Sequence, residues 1–302
     1  MKPTLCWPQA YVKLFKRHYT SVTSIGLEAF YADISLTNVT IPSGVANILD
    51  AAFAHCSSLT SITIPDSVTS ISEAAFFDCT SLTNVTIPGS ITGIANSVFD
   101  SCTSLSAITL PASVTSTGES AFNNCNNLTN VVLPDSFTSL GEYSFYRCSN
   151  LTRITIPSGV SNLQPAVFSC CTSLTEVYFQ SNAPTIAALG PFDDPAFNAD
   201  TNVTVYYLAG TTGWSNTYDG VPAVLWNPLI QTGDGNFGVR NSEFGFDITS
   251  TNTIPIVVEA CTNLANPVWI ALTNVTLTSG LFHFSEPLQA ESAGRYYRIS
   301  SP

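Results

Sequence analysis

Cysteines, histidines and one loop of aspartates are the residues of this chain whose types could carry a reaction or hold a metal. Six of the nine cysteines form a column, with Cys56, Cys79, Cys102, Cys125, Cys148 and Cys171 each 23 residues from the next. Metal or redox chemistry asks for Cys-x-x-Cys pairs or for histidines in the same column, and the column has neither. A buried cysteine otherwise behaves as a small hydrophobe with a weak S–H donor, so the column reads as an inward-facing ladder. Successive rungs fall within disulfide Cα distance. A bridge also needs particular Cβ directions and a particular torsion, which identical side chains pointing the same way do not supply. Cys170 lies off the ladder and is expected to face another way. Cys261 has no evident partner beyond the distant Cys6 and reads as a core thiol.

His18, His55 and His283 fall one each in the opening segment, the repeated region and the C-terminal region. A catalytic triad or a zinc site needs them to converge with nucleophiles or carboxylates, and nothing in their spacing arranges that. Asp193, Asp194 and Asp200 could offer oxygen ligands to calcium, but they match no EF-hand or repeat-type calcium loop and read as a solvated loop. There is no phosphate-binding glycine loop, and Asp234-Gly-Asn236 reads as a turn. The expectation is a protein with no catalytic residues, no metal and no cofactor.

The elements that position the thiols are legible. Phe recurs at Phe30, Phe53, Phe76, Phe99, Phe122, Phe145 and Phe168. Leu recurs from Leu36 to Leu174, followed three residues later by Val39, Ile62, Val85, Ile108, Val131, Ile154 and Val177. Pro closes the unit in six copies, from Pro42 to Pro157. A fixed period in this range is one coil of a solenoid. In Leu-x-x-Ile-x-Ile the alternation is that of a short strand, with Ile62 and Ile64 on one face and Ser61 and Thr63 on the other. Pro65 lacks an N–H and stops the strand. One coil cannot bury these side chains. Stacked in register, seven coils form a parallel sheet of strands about 4.7–4.9 Å apart, with Phe on Phe and Cys on Cys.

The unit Ala-Phe-x-x-Cys-x-x-Leu-x-x-Ile-x-Ile-Pro-x-x-Val-x-x-Ile resembles the BspA-like leucine-rich repeat of bacterial and protist surface proteins. The resemblance runs from about Tyr19 to Gln180. It implies a solenoid used for adhesion or protein recognition, an extracellular or cell-surface location and no enzyme activity. It implies no particular ligand.

Composition agrees with a β-rich fold: Thr and Ser are the commonest residues, helix formers such as Lys and Glu are scarce, and only 10% of residues are charged. A net charge of −12 leaves no basic face for nucleic acid. No apolar run is long enough for a membrane-spanning helix. The fold class expected is predominantly β with short helical turns, a leucine-rich-repeat solenoid followed by a small β-sandwich. Residues 1–18 read as an irregular, weakly ordered leader or poor cap, because projecting the repeat backward puts Lys13, Lys16 and His18 at core positions. No signal peptide is recognisable in them, and the alternatives are a truncated or wrongly placed start of a longer secreted protein and a basic targeting arm. Residues 19–180 are the solenoid and 181–227 a final coil and cap. Residues 228–302 are the sandwich, with strands at Phe244–Thr249, Ile254–Cys261, Trp269–Leu277, Leu281–Ser285 and Arg295–Ile299. The stretch Ile256–Leu264 with the ending Arg295-Tyr-Tyr-Arg-Ile resembles a C-terminal module of secreted proteins of environmental bacteria, which implies a spacer or anchor.

Outward strand positions are the expected working surface. From Asn38 and Thr40 to Ala107 and Thr109 they are neutral and rich in hydroxyls. Charge and aromatic rings enter only at the C-terminal end, with Asn130, Arg153, Thr155, Glu176 and Tyr178 as candidate binding residues. The alternatives are ordinary β-propensity on a solvated face, or a Thr array that orders water. The expected function is recognition or adhesion, with a protein or glycan partner. The alternatives are a scaffold or spacer that self-associates, or an accessory module of a longer secreted protein.

Overall fold

The computed structural model describes residues 22–188, 194–278, 280–288 and 294–302. The leader 1–18, with Cys6, lies outside them. The described residues are all-β, without helix. They divide into a first unit that runs to Tyr207 and takes in Thr211–Ala223, and a second made of Leu208–Gly210 and Val224–Pro302.

In the first unit each repeat is one coil. The strands Asn38–Thr40, Ser61–Thr63 and Asn84–Thr86 pair in parallel, residue for residue at the repeat spacing. Ala107–Thr109 pairs likewise with Asn130–Val132, and Arg153–Ile156 with Glu176–Phe179. Thr204–Leu208 then pairs with Glu176–Phe179 and adds an eighth coil. A second ladder runs through Ser24–Ile25, Asn47–Ile48 and Ser70–Ile71. It thins to the single bridges Ile94↔Thr117 and Ser116↔Ser139 before resuming at Asn162–Leu163 with Thr185–Ile186. The thinning falls where the threonine Thr117 stands in the Ile column. There the backbones also approach closely: a Cβ on Gly141 would lie 2.2 Å from the carbonyl oxygen of Gly118.

Where short helical turns were expected, the Phe corner is a run of tight turns with alternating handedness. Two residues per coil, such as Ala51 and His55 or Ala74 and Asp78, have φ of 52–60°. These flank Phe two positions before and two after. Alternation turns every second N–H the same way, toward the next coil. Ala51, Phe53 and His55 donate to the carbonyls of Glu73, Ala75 and Phe77 at 2.7–3.0 Å. The left-handed conformation costs a non-glycine residue roughly 1–2 kcal/mol, and these inter-coil bonds hold it in place.

Inside, the Phe rings stack from Phe30 to Phe168 at centroid distances of 5.1–5.8 Å, within 14° of parallel. Phe197 adds one more ring, 5.8 Å from Phe168. The Cys ladder and the Leu and Ile columns fill the rest of one continuous core.

The last coil has a cap. Trp214 stacks on Tyr207 at 4.9 Å and meets Phe179 and Tyr218, whose hydroxyl donates to Pro184 O at 3.0 Å. Asp219 and Gly220, both left-handed (φ 46° and 85°), form the two-residue Asp-Gly turn of a hairpin between Thr217–Tyr218 and Val221–Trp226. That turn aims the Asp219 carboxylate at the N–H groups of Ala196 and Phe197. Pro195, where the ladder would present another N–H, has none.

The second unit is two antiparallel sheets. One joins Leu229–Gln231, Gly238–Arg240 and Gly280–Pro287 to Glu243–Ser250. The other flanks Ile254–Cys261 with Ile270–Leu277 and Tyr296–Ser300. Phe244, Phe246 and Phe284 of the first sheet meet Tyr297 of the second at 4.8–6.0 Å, so the sheets face each other across an aromatic layer. Cys261 is buried there as a free thiol. Asp247, 2% exposed, accepts from Asn236 Nδ2 at 2.8 Å and lies 2.5 Å from His283 Nδ1. The Asp234–Asn236 turn is pinned by this contact.

Candidate functional site

The outward ends of the last three strands bring together most of the expected site. Register sets Arg153 beside Glu176, and Glu176 beside Thr204. One row along, Thr155 lies beside Tyr178, and Tyr178 beside Tyr206. Glu176 Oε2 accepts from the Tyr178 hydroxyl at 3.2 Å, and the Tyr178 and Tyr206 rings stack at 5.1 Å, 18° apart. Burial first, then the Glu176 charge, pushes the Tyr178 phenol far above its usual range, while Arg153 pulls the other way. Burial also raises Tyr206. Both tyrosines are therefore neutral hydrogen-bonding groups. Arg153 is exposed, Thr155 and Glu176 are half-buried, and Asn130 stands exposed one coil earlier beside Val132, which is 50% exposed.

Tyr178 differs from expectation. Its alternation places it outward, yet it is 4% exposed, because Tyr206 of the eighth coil lies on it. Tyr206 and Thr204 are the open continuation of the site and were missed by the repeat alignment. Val203–Leu208 reads as one more strand in the sequence, and its alternation sets Thr204 and Tyr206 on the outward face, where the structure has them.

The two described histidines lie in different units, each beside a single carboxylate. His55 is paired with Asp78 at 2.8 Å between the edges of Tyr31 and Phe77, in the first unit, and His283 with Asp247 in the second. The eight cysteines among the described residues are free thiols, and Cys170 is half-buried. Each ladder thiol donates to the Phe carbonyl of the preceding coil, from Cys56 on Phe30 (3.0 Å) to Cys171 on Phe145 (3.0 Å). Burial pushes Cys56 up to about 12 and raises the others too, which removes the thiolate that reactivity requires. Among the described residues no cluster of three or more His, Cys, Asp or Glu could hold a metal ion, and no helix is long and apolar enough to cross a membrane.

The expected acid cluster needs correcting. Asp193 lies outside the described residues and Asp194 is half-buried, but Asp200 is 3% exposed and belongs to no solvated loop. It occupies the Cys position of the eighth coil. Its buried ladder site, rather than its acidic neighbours in sequence, sets its environment.

Fold and face together define a repeat-built solenoid with an open strand surface. The sequence pattern described as BspA type leucine rich repeat region matches residues 17–126 and 92–190 in six copies, more than half of the chain. The chain belongs to that BspA-type leucine-rich repeat family. No curated protein matches it. Among solved structures it is similar to a leucine-rich repeat protein from Bacteroides ovatus ATCC 8483, with 27% identity over 62% of this chain and 59% of that one and a TM-score of 0.47. It is also similar to the T. pallidum leucine rich repeat protein, with 33% identity over 47% of this chain and 69% of that one and a TM-score of 0.46. The chain thus spans about three fifths of the length of the first of these.

Proposed function

We propose that the protein is a non-enzymatic recognition or adhesion protein of the cell surface or extracellular space, which binds a protein or glycan through the solenoid's strand face. The observation that carries the reading is the grouping of Arg153, Glu176, Tyr178 and Tyr206 on three adjacent strands. Elsewhere along the face the outward residues are Asn, Ser, Thr and Ala, with Val132 the apolar exception. A guanidinium, a carboxylate and the edge of a tyrosine pair offer donors, acceptors and a flat apolar surface within one patch, as polar ligands with apolar faces require. Membership of the family supports a surface location, and the burial that keeps the ladder thiols neutral supports a role without catalysis.

The test is a binding screen of the purified protein against extracellular proteins and glycans, with Arg153→Ala and Asn130→Ala beside wild type. Both side chains are exposed, so the fold tolerates their loss. Loss of binding with Arg153→Ala supports the reading. A ligand indifferent to both substitutions, or light scattering that shows self-association through this face instead, replaces it with the scaffold reading.

A further inference from the structure

An acid stands at the end of the thiol ladder. The step into the eighth coil is 29 residues, as the Phe168–Phe197 stack shows. Asp200 repeats the backbone bonding of Cys171: its N–H donates to Phe197 O at 3.2 Å as that of Cys171 does to Phe168 O, and its carbonyl accepts from Val203 as that of Cys171 accepts from Leu174. Its side chain is 3% exposed, and neither carboxylate oxygen has a hydrogen-bond partner. The acid at the opposite end of the column, Asp33, differs: its Oδ1 accepts from Ser35 N and Oγ at 3.0 and 2.6 Å.

The ladder site offers its occupant an acceptor. In six successive coils a thiol donates there to a Phe carbonyl of the coil before, at 3.0–3.2 Å. The next carbonyl in the series is that of Phe168. A carboxylate has only acceptors to set against it, whereas the neutral acid has an O–H. We propose that Asp200 is a proton-operated lock on the eighth coil, which closes the ladder as a neutral donor and loosens the coil as a buried, unpaired carboxylate.

The groups around it fit this role. The Cys171 thiol faces Asp200 from the coil beneath and is itself held neutral by burial. Asp219, from the following hairpin, is directed at Ala196 and Phe197. Among the described residues no Lys, Arg or His forms an ion pair with Asp200. Burial pushes the carboxyl from 3.8 up to about 7, offset in part by the Cys171 backbone. A group whose pKa is raised on folding stabilises the fold fully below its unfolded value. That contribution falls as pH rises and is gone above the folded value. The eighth coil is therefore tightest in acid, loosens between pH 3.8 and about 7, and stays loose above.

The experiment compares wild type, Asp200→Asn and Asp200→Cys by denaturant unfolding from acid to weakly alkaline pH, with amide exchange followed at the eighth coil. Asp200→Cys completes the ladder and keeps the protein folded. Relative to Asp200→Cys, the wild-type opening constant of the eighth coil should rise by up to about tenfold per pH unit across that window and then level off. At alkaline pH the Cys variant should protect the coil best. Equal pH slopes in all three proteins, or eighth-coil exchange in wild type that does not change with pH beyond the intrinsic chemistry, would overturn the proposal.

Discussion

The Cys171 thiol lies 3.0 Å from the Phe145 carbonyl oxygen, and the same pairing recurs at every ladder cysteine. It ties the Cys column to the Phe column of the coil before. Each thiol fills a small corner of the core and satisfies a backbone acceptor that already receives one N–H.

Truncating a mid-ladder rung should therefore cost both packing and a bond. Cys125→Ala is expected to lose about 1–2 kcal/mol by denaturant unfolding, and Cys125→Ser less, since the hydroxyl keeps a donor. The ladder thiols should resist maleimide in the native protein and react once it is unfolded, with Cys170 labelled first among the described cysteines. Native labelling of Cys102, buried at 0% exposure, would contradict the packing described above.

Left-handed corners predict a stabilising change. Ala74 has φ 55° and its N–H is bonded to Asn96 O at 3.0 Å. Glycine adopts that conformation freely and keeps the bond, so Ala74→Gly should raise stability by up to about 1 kcal/mol despite its greater unfolded-state entropy. The same exchange at Ala75, which is not left-handed, should destabilise. Chemical denaturation midpoints distinguish the two.

The Phe stack predicts a cost that spreads to neighbours only. Phe99 is fully buried between Phe76 and Phe122. Phe99→Ala should cost about 3–5 kcal/mol. Because each coil touches its neighbours alone, exchange protection should fall most in the coils on either side and least at Ser24–Ile25.

Acid should act with opposite sign on the two units. Asp200 makes the eighth coil more stable as pH falls from about 7 toward 3.8. In the second unit, hydrogen bonds from Asn236 and His283 hold the Asp247 carboxyl below 3.8. A lowered carboxylate stabilises the fold above its unfolded pKa and loses that contribution as pH drops through the folded one, so the second unit should weaken below pH 3.8. Amide exchange resolved by unit checks both trends, and Asp247→Asn should flatten the second.

Much of this was legible beforehand because it is periodic. Seven Phe, seven Leu and six Cys at one spacing leave a single way to bury them all. The C-terminal strands are legible too: alternation marks Phe244–Thr249 as a half-buried strand, and the structure has Glu243–Ser250. The eighth coil was harder. Its step lengthens to 29 residues, and Asp200 stands where a cysteine would mark the place.

What the sequence determined by itself is the coil: which residues face inward, where the strand stops and that one coil needs another. What only the tertiary structure decided is what each coil meets. Tyr178 is outward by alternation and covered by Tyr206. Asp200 is acidic by type and buried among thiol positions. Asp219 is a turn residue by composition and, by placement, a half-buried carboxyl turned toward the Ala196 and Phe197 backbone and raised by burial. Inward and outward depend on neighbours along the chain, which a sequence displays. Exposure, hydrogen-bond partners and charge state depend on the coil stacked above, which only folding brings into contact.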